Sequence, residues 1–399
     1  MKQILASLLC LASFVAANIV DLSQPWSLAG NYNQNELYCV LQPQVRDQIM
    51  GYVVIRDGLI VAEDYRANNR PDDLVAVYSA TKSWTSLLVG LLVDAGQLEL
   101  NTTLGDVWED DAVWNDIVNA EDKKNLTVFE LLTFTSGLRE IDPVLGIFAQ
   151  NSLTDTLNQT TWLAAERGNY EYLPSNHILA QIIYQVSGLT PLEVANSDVY
   201  GNVFAALGMQ LNIDYRWDAF GNVQGSAFGM HMNPRILAKL GQLYVQQGVA
   251  QPNAAPIVSP AWVAASTTNQ LPTGVVPENN PPIQGYGYQW YVSSSEVDEN
   301  FSAVGAGGQL LYVYPNDDTV VALMTTFTNE AEAQQSTLQA FTLMATIEQN
   351  LAAMDQDGSC VASVAPSTTT AAPSTSAAAS GWSIGSTVAA IVLGLSMVL

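Results

Sequence analysis

Apolar positions along this 399-residue chain change their period several times. Residues 50–65 carry two β-branched runs around Arg56-Asp57-Gly58, a pattern that predicts a β-hairpin. Residues 78–98 shift to helical spacing, with Trp84, Leu87, Leu88, Leu91 and Leu92 on one broad face. From 99 to 225 helix-like stretches alternate with turn-rich loops. A second helix is predicted over 176–186, stopped by Ser187-Gly188, and a third over 234–247 with Pro234 in its first turn. Strand character returns at 287–292, 310–314 and 320–326, the last two flanking the turn residues Pro315-Asn316-Asp317-Asp318. A helix over 331–354 closes the domain. Strands therefore stand at both ends with helices between them, and the terminal helices are free to pack on a sheet. No internal repeat is visible.

The two ends read as targeting signals. Residues 1–17 carry Lys2, an apolar run over 4–15 and the small pair Ala16-Ala17, the layout of a secretory signal peptide. Residues 361–378 are rich in Ser, Thr and Pro and suit an extended, O-glycosylated stalk. The small residues Ser376, Ala377 and Ala378 close this stretch, followed by a spacer and an apolar run over 388–399. This is the order of a glycolipid (GPI) anchor signal, its tail covering 379–399. The expected domain is thus 18–360, displayed at the cell surface.

Cysteine usage agrees with an oxidising compartment. Cys10 falls in the signal, so Cys39 and Cys360 form the one intramolecular pair possible, and a disulfide between them is expected. Four N-x-S/T sequons, at Asn101, Asn125, Asn158 and Asn300, fit secretion. The net charge of −25 excludes a phosphate-backbone partner, which needs clustered Lys and Arg. No cysteine pair or histidine cluster has metal-ligand spacing, so neither a metal nor another cofactor is expected.

Candidate chemistry centres on Tyr78-Ser79-Ala80-Thr81-Lys82-Ser83. Residues i and i+3 share a helical face, so Lys82 can lie against the Ser79 hydroxyl near the positive end of the helix. Serine needs a nearby base to be nucleophilic, and a buried lysine can become one. The chain has five lysines, and this one stands in an apolar helix start. With two histidines, His177 and His231, a Ser-His-Asp triad has few candidates. The one G-x-S-x-G match, 381–385, lies in the expected tail and is read as a false positive.

These residues resemble the S-x-x-K serine hydrolases of the β-lactamase-related superfamily, over most of 45–350. The similarity is to the branch with class C β-lactamases, esterases and 6-aminohexanoate-oligomer hydrolases. Residues 78–98 are similar to its nucleophile helix, 131–138 (LLTFTSGL) to its L-L-T-H-T-S-G-L block with Phe134 replacing histidine, and 229–244 to its late-helix segment. In Glu171-Tyr172-Leu173-Pro174-Ser175-Asn176 the resemblance places Tyr172 on the catalytic tyrosine, with Tyr170 an ordinary packed aromatic. Pro174 stands where lactamases carry asparagine, and Asn176 is displaced two residues further on. Residues 303–309 (AVGAGGQ) are similar to the A-x-G-x-G-G-Q stretch of the esterase branch, with Ala303 where lactamases and D,D-peptidases carry lysine.

The resemblance implies an α/β (α+β) fold of the β-lactamase/transpeptidase type: an antiparallel sheet flanked by terminal helices, with a mainly helical subdomain over about 99–225. It also implies hydrolysis of a small-molecule ester or amide through an acyl-serine on Ser79, with Lys82 and Tyr172 as general base and acid. Which of the two is the base stays open, since coupled groups titrate together. The amides of Ser79 and Ala306 would form the oxyanion hole. Asn176, Gly305, Gly307, Gly308 and Gln309 are expected to touch substrate. The alternatives are a catalytically inactive surface binding protein and a true β-lactamase or D,D-peptidase. Oligomeric state is not legible.

Overall fold

The computed structural model describes residues 19–30, 48–66, 69–142, 152–173, 177–272, 285–293 and 299–351. The signal peptide, stalk, anchor tail, Cys39, Cys360 and Asn176 lie outside these residues. None of the described helices is long and apolar enough to cross a membrane.

The chain enters through β1 (Ser27–Leu28) and makes the hairpin β2 (Ile49–Arg56) and β3 (Leu59–Tyr65). Asp57 and Gly58 both take positive φ, 51° and 74°, which is the twist a two-residue hairpin turn requires. After β4 (Val75–Ala76) a 3-10 turn over Tyr78–Ala80 runs into α1 (Thr81–Asp94). The predicted helix over 78–98 is therefore a turn followed by a shorter helix. Twelve of the fourteen α1 positions, from Thr81 to Leu92, are buried, so this is the central helix of the molecule.

The middle of the chain has short helices: α2 (Leu104–Val107), α3 (Ala120–Lys123), α4 (Val128–Thr133) and α5 (Leu153–Asn158). Strands β5 (Leu138–Glu140) and β6 (Thr160–Trp162) pair with each other. Then come α6 (Ile178–Ser187), α7 (Pro191–Ala195) and α8 (Val203–Ala206). Helix α6 ends where Gly188 turns left-handed at φ 71°, as Ser187-Gly188 predicts. Three small strands, β7 (Tyr215–Trp217), β8 (Ala219–Phe220) and β9 (Val223–Gln224), precede β10 (Met230–Met232). The order β4-β10-β7 forms a separate three-stranded sheet beside the 3-10 turn. Threonine caps start α2, α4 and α7, each closed by an acidic residue three positions later.

Helices α9 (Pro234–Val245) and α10 (Pro260–Ser266) lead back to strands β11 (Gly285–Tyr286), β12 (Tyr291–Val292), β13 (Phe301–Gly305), β14 (Gln309–Tyr314) and β15 (Thr319–Thr325). Helix α11 (Glu330–Leu351) follows. The main sheet has the order β1-β3-β2-β15-β14-β13-β12-β11, antiparallel except between β1 and β3. Side chains alternate across it. Tyr52, Val54, Leu310, Tyr312 and Leu323 face Leu343, Met344 and Ile347 of α11. Val53, Ile55, Leu311, Val313 and Ala322 belong to the opposite core with α9 and α1. A Cβ on Gly241 of α9 would stand 2.6 Å from Val320, so the glycine allows that helix to lie against the sheet. Among the described residues, α11 and α9 pack on opposite faces of the sheet, and α9 comes from mid-chain.

Candidate active site

Three parts of the chain meet at Ser79. The first is the turn that holds it. Val77 donates its N–H to Met230 O (2.9 Å), and Ala80 donates to Val77 O (3.1 Å). Between them Tyr78 sits at φ 45°, a costly conformation for an aromatic residue, with its ring stacked 5.3 Å from Phe327. Ser79 is left half-buried at the head of the turn.

One turn later Lys82 is buried, with Nζ 3.2 Å from Ser79 Oγ. Its ammonium also donates to the Ala227 carbonyl (3.0 Å) and lies 4.9 Å from the centre of the Tyr172 ring. Burial pushes the Lys82 pKa down to about 7, opposed by the nearby Glu140 carboxylate. Ala227 is held in turn by its N–H, which donates to His177 Nδ1 (3.2 Å). Burial and the neighbouring Lys82 push the His177 pKa to about 3, so the ring is neutral, and the Ala227 N–H makes Nδ1 its unprotonated, accepting nitrogen. Stacking on Phe220 (4.8 Å) fixes its ring. This positioning histidine escaped the sequence reading, which weighed it for a triad alone. The signal that could have found it is its place directly after the Tyr172 block.

The second part is Tyr172. Its hydroxyl is hydrogen-bonded to those of Ser79 and Tyr291, and its pKa is raised well above the ordinary phenol value, chiefly by burial. Phe134, left-handed at φ 56° as it ends α4, sets its ring edge-on at 5.1 Å from Tyr172 and also contacts Tyr170 and Tyr286. The residue replacing the family's histidine is thus an apolar wall of the site. Tyr170 packs on the same wall, 5.3 Å from Tyr286.

The third part is the turn between β13 and β14. Gly305 pairs with Gln309, and Gly308 donates to Gly305 O (3.2 Å). A Cβ on Gly305 would collide with the Val77 carbonyl oxygen, so only glycine lets this turn approach the nucleophile turn. Ala306 follows at that point and is nearly buried. Gly307 and Gly308 take φ 76° and 93° and press on Phe327 and Ala340, behind the turn.

Gln309 corrects the expectation of a substrate contact. It is buried, its Nε2 donates to Thr325 Oγ1 (2.9 Å) and Thr325 O (3.2 Å), and its Oε1 accepts from Thr325 N (3.2 Å). Its amide is a clasp between β14 and β15. Asn176 is outside the described residues. Ala303, buried on β13, offers no charge for a substrate carboxylate.

Of the four sequons, Asn101 and Asn125 are exposed while Asn158 and Asn300 are half-buried. The Asn158 amide bridges Val118 N and Asp116 O (3.0 and 2.8 Å).

The sequence model of the beta-lactamase family matches residues 45–343. The chain belongs to that family. Among its relatives this beta-lactamase-family protein is 24% identical over 307 residues to a 6-aminohexanoate-dimer hydrolase from Paenarthrobacter ureafaciens, covering 69% of this chain and 72% of the relative. Its fold is shared with EstCE1, a hydrolase with promiscuous acyltransferase activity, at TM-score 0.58 and 17% identity, covering 77% and 97% of the two chains. A penicillin-binding protein homolog from Caulobacter crescentus superposes with TM-score 0.55 at 16% identity, covering 79% and 98%. The protein is a serine hydrolase of the beta-lactamase-related type.

Proposed function

We propose that this hydrolase cleaves a small ester or amide through an acyl-serine on Ser79, with Lys82 taking the serine proton and Tyr172 supplying one to the leaving group. The observation that carries this reading is the Lys82 ammonium, buried 3.2 Å from Ser79 Oγ with its pKa near 7. At pH 8 a large share of Lys82 is a neutral amine able to accept a proton, whereas the Tyr172 phenol keeps its own. The backbone N–H groups of Ser79 and Ala306 are the donors proposed for the oxyanion, each worth about 3–4 kcal/mol where such donors have been removed. Ala303 in place of a lysine, and a relative named as a 6-aminohexanoate-dimer hydrolase, favour an esterase or amidase over a lactamase.

The test is covalent labelling with a fluorophosphonate, followed by peptide mapping. Label on Ser79, lost in Ser79→Ala with the fold retained, supports the reading. Folded wild-type protein that takes no label, or a Ser79→Ala variant that still turns over p-nitrophenyl esters, overturns it.

We further propose that the protein is secreted, glycosylated, cross-linked through Cys39 and Cys360, and held at the cell surface by a lipid anchor near Ser376, Ala377 or Ala378. The signal-like ends and the sequons support this reading. Release from intact cells by phosphatidylinositol-specific phospholipase C, and a Cys39–Cys360 peptide on non-reducing mapping, are the results expected.

A further inference from the structure

We propose that Phe327 is a positioning residue for the oxyanion hole: its one ring, packed against the chain neighbours of both donors, sets the N–H groups of Ser79 and Ala306 relative to each other. The proposal rests on the acyl-serine reading above.

Phe327 follows β15, the strand beside the hairpin β2–β3 in the sheet, and is half-buried. Its ring stacks on Tyr78, with centroids 5.3 Å apart and planes inclined by 23°. Tyr78 stands directly before Ser79 at φ 45°, a conformation that persists where the surroundings impose it. The Ser79 N–H belongs to the peptide joining these two residues. A ring that fixes Tyr78 therefore fixes where this donor points.

The same ring lies against Gly307. A Cβ there would run into Phe327, and the residue takes φ 76°. Gly307 directly follows Ala306, and its carbonyl accepts from Thr325 Oγ1 (2.6 Å). Ala306 is thus gripped through both neighbours, Gly305 on the Val77 carbonyl and Gly307 on Phe327. The segment that carries the ring is itself tied down. Thr326 donates its N–H to Gln48 O (2.9 Å), and Thr328 donates its N–H and its hydroxyl to Glu332 of α11 (2.8 Å each).

Two contacts therefore span the nucleophile turn and the β13–β14 turn. Gly305 against Val77 sets how closely the backbones approach, but a single point of contact leaves rotation about it. Phe327 is the second point, and it removes that freedom. Direction matters here because a hydrogen bond weakens steeply as its angle closes. As Ser79 Oγ adds to the substrate carbonyl carbon, the serine proton passes to the Lys82 amine and the carbonyl π pair moves onto oxygen. Donors aimed at that oxygen stabilise the transition state more than the bound ester, so misaiming them lowers kcat and spares KM.

Wild type, Phe327→Ala and Phe327→Leu are assayed on a p-nitrophenyl ester and on the alkyl ester of the same acid, with phenylboronic acid as an inhibitor that mimics the tetrahedral state. Phe327→Ala should lower kcat at least about tenfold on both esters, within the loss that removal of one donor causes. KM should stay within about twofold, and inhibition by phenylboronic acid should weaken by a factor similar to the fall in kcat/KM. The midpoint of the kcat/KM pH profile, set near 7 by Lys82, should not move. Phe327→Leu keeps the bulk without the flat face and should lose less; if Phe327→Ala does not fold, the same criteria are read from it. Full kcat at a lowered melting temperature, a raised KM at unchanged kcat, or a loss confined to the alkyl ester each overturns the assignment while leaving the acyl-serine reading intact. A wild type that cleaves neither ester and takes no fluorophosphonate overturns that reading and this one with it.

Discussion

Gly305 and Val77 touch backbone to backbone: the α-carbon of Gly305 faces the Val77 carbonyl oxygen with no room for a methyl group between them. Because Val77 opens the turn that presents Ser79, the β13–β14 turn and the nucleophile are set against each other at this one point. Gly305→Ala should therefore cost about 1–3 kcal/mol of stability, as overpacking does. It should also lower kcat at least about tenfold, since a displacement of an ångström in the catalytic groups can cost about a hundredfold. Thermal melting together with steady-state kinetics checks this. A variant with a lowered melting point and full kcat would show that the contact bears on folding alone.

Gln309 makes the opposite kind of prediction. Its amide is engaged on both sides with Thr325, so Gln309→Leu should remove a buried clasp at about 1–3 kcal/mol. KM for small esters should stay where it is, because the side chain is spent within the sheet. A raised KM at unchanged melting temperature would return Gln309 to the substrate site.

Much of this arrangement was legible because it is local. The Ser79–Lys82 relation follows from i,i+3 spacing on one helix, and the β2–β3 hairpin from Arg56-Asp57-Gly58. The cap after α6 was readable for the same reason, since Gly188 alone determines it. What escaped depends on register or on distant pairing. Gln309 reads as a residue of a glycine-rich loop until the pairing of β14 with β15 sets it against Thr325. His177 and Ala227 meet across fifty residues, and Tyr291 reaches Tyr172 from a strand at the far end of the sheet. Strand β13 went unread as a strand because Ser302, Ala303 and Gly305 give it only two bulky apolar positions and it runs into the glycines that follow. The cover on the second face of the sheet is α9, whose periodic pattern was visible but whose place was not.

With the Lys82 pKa near 7, the base form is lost as pH falls. The profile of kcat/KM should therefore rise between pH 6 and 8, about one pH unit either side of that value, and level off above it, since kcat/KM reports the free enzyme. Tyr172 stays protonated over this range and adds no falling limb there. Lys82→Ala should flatten the rise and lower kcat by about a thousandfold, and combining it with Tyr172→Phe should cost little more, because the two act as one unit. A profile with its midpoint near 10 would mean that Lys82 stays charged at neutral pH and serves only as an electrostatic partner.

The same burial that tunes Lys82 predicts where the fold is most stable. Three lysines are displaced downward by burial, Lys82 to about 7 and Lys123 and Lys239 to about 8. Lys123 donates to Leu157 O and Thr160 O, and Lys239 to Leu22 O and Leu207 O, so all three stay packed inside the fold. In the unfolded chain a lysine titrates near ~10.4, so between about pH 7 and 10 the unfolded state holds protons that the folded state has released. Stability rises with pH wherever the unfolded state binds more protons, so raising the pH through this window favours folding. Above pH 10 the sign reverses. Tyr170, Tyr172, Tyr286 and Tyr314 keep their protons in the fold well past the ordinary phenol value, and the unfolded chain ionises first. His177 has little part in this, since its folded pKa of about 3 and its unfolded value near ~6.5 both lie below the window. The melting temperature at constant ionic strength should therefore climb by a few degrees from pH 7 to about 9.5 and fall beyond about 10.5. Replacing Lys123 with Met should shallow the climb even where it lowers the absolute melting point, because the slope counts protons and not contacts. A melting temperature that falls steadily from pH 7 upward would mean that these lysines are charged in the folded protein.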